Sequence, residues 1–249
     1  MKTLATLLIS GLTILLLCSQ TSTFNKVITL SNPSFEDIPQ AGKAPQGWYN
    51  CGFPGESPPD IQPDPTFSVT SIPQHGDTYL GMVVRDNDTW EKVSQKLSSP
   101  IEANQCYQFS IYLQRSPIYW GGSSISNELV NYDTPAKLRI WGGNEWCAKV
   151  EILAESAVIT NFDWELHTFI ITAKSSHPYI LFEVFYDTPV LFPYNGNILL
   201  DNASDFTPFP CFATNTTIPA INLFTYRTHS HSLSIYQDYL TGKNAPILS

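Results

Sequence analysis

The sequence predicts an all-β chain, an antiparallel β-sandwich of the jelly-roll type. Short strand signals follow one another, and nearly every break between them carries Gly, Pro, Asn or Asp. No convincing amphipathic helix interrupts them before the C-terminal tail. In the signal from Gln105 to Gln114, Tyr107, Phe109, Ile111 and Leu113 fall on one face and Gln108, Ser110, Tyr112 and Gln114 on the other. One face is therefore core and the other wet.

In chain order, Met1-Lys2, an apolar run from Leu4 to Leu17 and Cys18-Ser19-Gln20 have the layout of a secretory signal peptide, residues 1–19. The run is shorter than the roughly 20 residues a membrane-spanning helix needs. The mature chain is expected to begin near Gln20 and to be secreted or held at the cell surface. Lipidation of Cys18 is disfavoured because Leu17 stands where a small residue is wanted. About 230 residues then remain, enough for one large β domain, placed at 25–206, with a tail at 207–249. Charged residues make up only 14% and aromatics 13%, so the chain is ordered rather than disordered. The net charge of −9 argues against nucleic acid or an anionic membrane as partner and is compatible with a bound cation.

Val27–Leu30 reads as a first short strand. Asn32-Pro33-Ser34-Phe35-Glu36-Asp37 combines a turn, an aromatic anchor and two adjacent carboxylates, and its expected partner is the segment Asn197–Ser204. Five prolines between Pro54 and Pro65 predict a rigid loop. Strands are expected at Thr66–Ser71, Thr78–Arg85, Trp90–Leu97, Gln105–Gln114, Ala136–Trp141, Lys149–Ala154, Glu165–Thr172, Tyr179–Tyr186 and Asn197–Phe206. Gly121-Gly122 and Gly142-Gly143 read as turns after aromatic strand ends. In the tail, His229 and His231 lack neighbouring carboxylates or cysteines and read as solvated, before a weak helical stretch from Leu233 to Leu240.

Cys51, Cys106, Cys147 and Cys211 form an even set in an exported chain and predict two disulfides. Three connectivities are open. Cys106 opens a strand and Cys211 follows the last one, which favours Cys106 with Cys211 and Cys51 with Cys147. No Cys-x-x-Cys pair suggests structural zinc.

Asn32, Phe35, Glu36, Trp48 and Asp201, with Gly76-Asp77-Thr78-Tyr79-Leu80-Gly81-Met82 between them, carry a resemblance. The chain resembles the galactose-binding-like jelly rolls, especially carbohydrate-binding modules, as found at the N-termini of bacterial secreted surface and gliding-motility-associated proteins. The resemblance covers residues 25 to about 206. It implies a carbohydrate or glycan-bearing surface as ligand and a structural calcium ion. Glu36 and Asp201 would be side-chain ligands and Ser34 a backbone ligand, although Asn202 stands where such modules often carry a second Asp. The residues point the same way, because carboxylates beside Phe35 and Leu200 would lie close to core, where a cation offsets their charge.

Enzymatic signatures are missing: there is no Gly-x-Ser-x-Gly, no His-Glu-x-x-His and no phosphate-cradling glycine loop. Glu36 with Asp37, or Glu183 with Asp187, could serve a hydrolase only if two carboxyl groups faced each other at roughly 5 to 9.5 Å. The expectation is a non-catalytic binding module. Sugar recognition needs aromatic faces beside planar polar groups, and Gln108, Tyr112, Gln114, Arg139, Trp141 and Asp187 are expected to form one wet ligand surface. The alternative is a structural or adhesive module that binds another cell-surface protein, which an apolar patch around Trp120 or Trp146 would favour.

Overall fold

The computed structural model describes residues 26–211, and its regular structure there is strand apart from one short 3-10 turn. In order the strands are β1 (Tyr49–Asn50), β2 (Asp60–Gln62), β3 (Tyr79–Arg85), β4 (Thr89–Trp90), β5 (Lys92–Ile101), β6 (Cys106–Gln114), β7 (Trp120–Gly122), β8 (Leu129–Asn131), β9 (Ala136–Gly143), β10 (Glu151–Glu155), β11 (Glu165–Thr172), β12 (His177–Tyr186), β13 (Gly196–Asp201) and β14 (Thr207–Pro208). One sheet runs β1-β5-β12-β9-β10. The other runs β11-β6-β13-β3-β2, with β4 added to β3 and β14 to β6, while β7 and β8 form a separate hairpin. The named strands all pair antiparallel.

The main core fills the space between the sheets. Phe109, Ile111 and Leu113 from β6 meet Leu138 and Ile140 from β9 and Phe182 from β12, all fully buried. Each such side chain contributes about 1.5–3 kcal/mol by leaving water. A chain of rings ties in the N-terminal segment: Phe35 lies 5.2 Å from Trp48, and Trp48 lies 5.1 Å from Phe182. Asn32 builds the turn that places Phe35. Its Oδ1 accepts from the Glu36 amide (2.8 Å), its Nδ2 donates to the Glu36 carbonyl (2.9 Å), and its own carbonyl accepts from Trp48 Nε1 (3.0 Å).

A second apolar cluster sits on the outward face of β3 and β13, where Tyr79, Val83 and Leu199 meet Val69, Tyr119 and Tyr132. With both faces covered, β3 and β13 are buried at every position. That explains their nearly unbroken apolar runs.

Several expectations are corrected. Val27–Leu30 makes only an isolated bridge, Ile28 to Phe206. Thr66–Ser71 is not a strand: Asp64 accepts from the Thr66 amide (2.9 Å) and Pro65 opens a 3-10 turn that ends at Ser68, whose φ is +60°. The Pro-rich loop contains β2. Gly121-Gly122 and Gly142-Gly143 lie within β7 and β9. At Gly142 a Cβ would sit 2.5 Å from the His177 ring, so the strand needs glycine for close approach. The strand expected to reach Phe206 ends at Asp201, because Asn202 takes φ +46°. Regular structure continues past residue 206 in β14, and Cys211 is crosslinked to Cys106. Cys51 is joined to Cys147, so both disulfides pair as favoured from the sequence. The signal peptide, Cys18, the tail histidines and the 233–240 stretch lie outside the described residues.

Candidate functional site

The outward face of the β1-β5-β12-β9-β10 sheet is assembled by register. Leu181 stands opposite Trp141, and Glu183 stands between Arg139 on one side and Lys92 on the other. Glu183 is 0% exposed. Its Oε1 accepts from Trp90 Nε1 (2.6 Å) and Lys149 Nζ (2.9 Å), and its Oε2 accepts from Trp141 Nε1 (2.7 Å). A carboxylate held this way satisfies both indole N–H groups and fixes the two rings edge-on to it.

Cations lie over those rings. Lys149 Nζ is 5.1 Å from the Trp141 centroid and 5.7 Å from that of Trp90. Lys92 Nζ is 4.4 Å from Phe53, and the Lys92 ammonium is pushed below its usual pKa by burial and by Lys149, against the pull of Glu183. Arg139 stacks over Phe185 at 3.6 Å and its Nε donates to Glu155 Oε2 at 2.6 Å. Arg139 and Lys137 hold the Glu155 carboxyl below the usual carboxylate range, which outweighs the upward push of burial.

At the end of β12 away from Phe185, Trp146 packs 5.1 Å from Tyr179 and 5.5 Å from Tyr49. Trp146 and Tyr49 are 45% and 56% exposed, so a large part of each side chain reaches solvent. Trp146 and Lys149 flank Cys147 in the loop after β9, and the bond to Cys51 ties that loop beside Tyr49 and Phe53. From Tyr179 to Phe185 the row of rings and charges spans about 20 Å at the usual strand rise.

The six expected ligand residues do not form one surface. Arg139, Trp141 and Asp187 lie on this face, Asp187 at the strand end in an ion pair with Lys137 (3.3 Å). Gln108, Tyr112 and Gln114 lie on β6, which belongs to the other sheet, so they face away across the core. Gln108 is exposed, Tyr112 is half-buried and Gln114 is buried. Alternation along a strand separates inward from outward positions, and both sheets have an outward side. Among residues the expected ligand surface left out, Trp90 opens the strand expected at Trp90–Leu97, and Glu183 shares the face of Asp187. Lys149 and Lys92 carried no signal in the sequence.

Ser34, Glu36 and Asp201 do come together, around the 74–78 loop. Asp201 Oδ1 accepts from the Ser34 hydroxyl (2.9 Å) and the Asn202 amide (2.6 Å), and Oδ2 from the Gln74 (2.8 Å) and His75 (3.0 Å) amides. Burial still pushes the Asp201 carboxyl above its usual range. Glu36 accepts from the Asp77 and Thr78 amides and the Thr78 hydroxyl, and Gly76, at φ +66°, is the residue whose missing Cβ leaves room for its carboxylate. A cation reaching Asp201 has to displace one of four donors. Among the described residues, no group of three or more His, Cys, Asp or Glu side chains is placed to hold a metal ion.

No protein-family model and no curated protein matches the chain. Solved structures with a similar strand arrangement include the K2 cleaved adhesin domain of Lys-gingipain, at 12% identity and TM-score 0.47, covering 72% of this chain and 99% of that one. Another is the CBM22-1 xylan-binding domain of Paenibacillus barcinonensis Xyn10C, at 15% identity and TM-score 0.41, covering 74% and 95%. A third is an arabinose-bound MgGH51 α-L-arabinofuranosidase, at 12% identity and TM-score 0.44, of whose chain this one spans 27% while 74% of this chain is covered. The fold is a jelly-roll β-sandwich.

Proposed function

We propose that the chain is an exported, non-catalytic module that binds carbohydrate or a glycan-bearing surface along the outward face of the β1-β5-β12-β9-β10 sheet. The observation that carries this is Glu183, pinned by Trp90, Trp141 and Lys149 within a row that continues to Trp146, Tyr179 and Tyr49. Such a row offers fixed ring faces for sugar C–H surfaces and fixed polar groups for hydroxyls. The carboxylates of this face are engaged by cations or N–H donors, which suits binding more than acid–base work. Two disulfides suit an oxidising destination. The test is a glycan array probed with the mature chain. A correctly folded protein that binds no glycan overturns the reading.

An adhesive role toward another cell-surface protein is the second reading, favoured by the exposed Trp146, Val150 and Ile152, of which Ile152 stands opposite Trp141. A blank array together with capture of a protein partner that Trp146→Ala abolishes supports it instead. Calcium at Ser34, Glu36 and Asp201 is a separate proposal. It is supported by two carboxylates, one fully buried, whose partners are N–H and O–H donors and not cationic side chains. Thermal unfolding in EDTA and in added calcium, for wild type and Asp201→Ala, tests it. Unchanged wild-type stability leaves the hydrogen-bonded seam as the only role of these residues.

A further inference from the structure

The β7–β8 hairpin and the segment around Phe67 cover the outward face of β3, on the sheet that does not carry the aromatic row, and leave a cavity of about 180 Å³ beneath them. Its walls hold ionisable groups that a second apolar core does not need. Arg85, Glu91 and Asp60 are all at least nine-tenths buried. Arg85 Nη2 donates to Glu91 and to the Ser57 hydroxyl (2.9 Å), and its Nε lies 3.5 Å from Glu56. Asp60 accepts from the Tyr119 hydroxyl and from the Gly42 amide (2.6 Å). Arg85 Nη1, also buried, has no hydrogen-bond partner. A buried guanidinium N–H without an acceptor is costly, and Arg85 is one of the residues that line the cavity.

The chemistry of the occupant follows from what the walls accept and repel. Three carboxylates around one guanidinium disfavour an anion. The unpaired N–H and the buried carboxylates disfavour a purely apolar guest. A metal cation meets the Arg85 charge at close range. A neutral polyol supplies both halves: hydroxyl oxygens for the Arg85 guanidinium and hydroxyl protons for the spare lone pairs of the acidic side chains. Tyr119, stacked on Phe67 at 5.5 Å, and Tyr132 provide aromatic wall. The volume lies below the roughly 300–1,000 Å³ of pockets for drug-sized ligands, which restricts the guest to a single small ring. We infer that this cavity is a second binding site, taking one neutral polyhydroxylated ring, either a monosaccharide or the terminal residue of a glycan. The inference stands on the cavity alone and is independent of the aromatic row.

The probe is a panel of free sugars, D-glucose, D-galactose, D-mannose, D-xylose, L-arabinose and L-fucose, each added to the mature protein and read by saturation-transfer NMR. Gly121 lines the cavity, and a Cβ there would lie 3.1 Å from the ring of Tyr132 on the cavity wall, so Gly121→Val places bulk on the cavity side of β7 while leaving the ionic groups intact. At least one sugar is expected to give transfer, weakened tenfold or more in Gly121→Val. If that variant does not fold, Phe67→Ala, which removes a partly exposed wall, is expected to weaken the same signal. No transfer from any sugar in wild type overturns the assignment, as does transfer that survives filling of the cavity. Loss of transfer in Trp141→Ala, with retention in Gly121→Val, places the sugar on the aromatic row and also overturns it.

Discussion

Removing the Cys51–Cys147 bond separates a crosslink that stabilises the fold from one that also builds the proposed ligand face. The bond closes a loop between residues 96 apart in sequence. For a loop of this size the chain-entropy treatment gives about 4.7 kcal/mol at 25 °C. The Cys106–Cys211 bond spans 105 residues and interleaves with the first, so an unfolded chain holding only one bond is already restricted. The expected loss is therefore about 2–4 kcal/mol. At about 2–4 °C per kcal/mol for a domain of this size, the melting temperature should fall by about 4–16 °C. The variant is Cys51→Ala/Cys147→Ala, which leaves neither a free thiol nor a buried hydroxyl, and the assay is urea unfolding with comparison of m-values. Glycan affinity is measured in parallel at a temperature where the variant is folded. Freed from Cys51, the loop bearing Trp146 and Lys149 should no longer hold its rings and charge in place, and affinity should fall at least tenfold. A stability loss in this range with unchanged affinity would refute the positioning argument. Unchanged stability would refute the loop-closure argument as well.

Trp141→Ala should cut glycan affinity at least tenfold while keeping a native circular dichroism spectrum, at a cost of about 1–3 kcal/mol for the donor taken from Glu183; a variant that does not fold makes Trp141 a core residue instead. Asp201→Ala strips the acceptor from three amides and the Ser34 hydroxyl and should cost about 2–5 kcal/mol in urea unfolding, and a smaller loss means that water replaces the carboxylate. Burial pushes Asp60 up to about 6, against the Tyr119 hydroxyl, and Glu91 up to about 8, against Arg85. Both carboxyls hold protons more tightly folded than unfolded. Their contribution is full below about pH 4 and is lost as pH rises through about 6 and then about 8. Urea midpoints should therefore fall more steeply from about pH 5 to about pH 8 in wild type than in Asp60→Asn. Equal slopes contradict the cavity's charge state.

Much of the sandwich was legible because its strands carry local signals. β6 alternates with period 2, and its inward residues are the core residues expected. β3 and β13 departed from alternation for a reason that lies elsewhere in the chain, the hairpin packed on their outward side. The same non-locality divided the expected ligand surface. Nothing within β6 or β9 states which sheet it joins, so Gln108, Tyr112 and Gln114 were grouped with Arg139 and Trp141 across a core that separates them. Glu183, inside Leu181-Phe182-Glu183-Val184-Phe185, was singled out only as half of a possible carboxylate pair with Asp187 and not as an anchor for rings. Its meaning depends on Trp90 and Lys149, which are brought to it from other segments. The cavity was invisible for a related reason: Asp60, Arg85 and Gly122 belong to segments read separately as loop, strand and turn. The disulfide pairing was partly legible, because a cysteine opening a strand and one following the last strand mark places that a sandwich can bring together.

β13 lies between β3 and β6, yet it is made long after both. During synthesis at about 5–20 residues per second, the edges of β3 and β6 wait several seconds or more without the strand that joins them. Through that interval Leu80, Met82 and Leu113 have no closed core to enter, and the bridge from Ile28 to Phe206 is also unmade. A nascent chain with this topology cannot complete its sheet early. It stays an open polypeptide, and the last strand shuts the sandwich only after nearly all of the domain has been made.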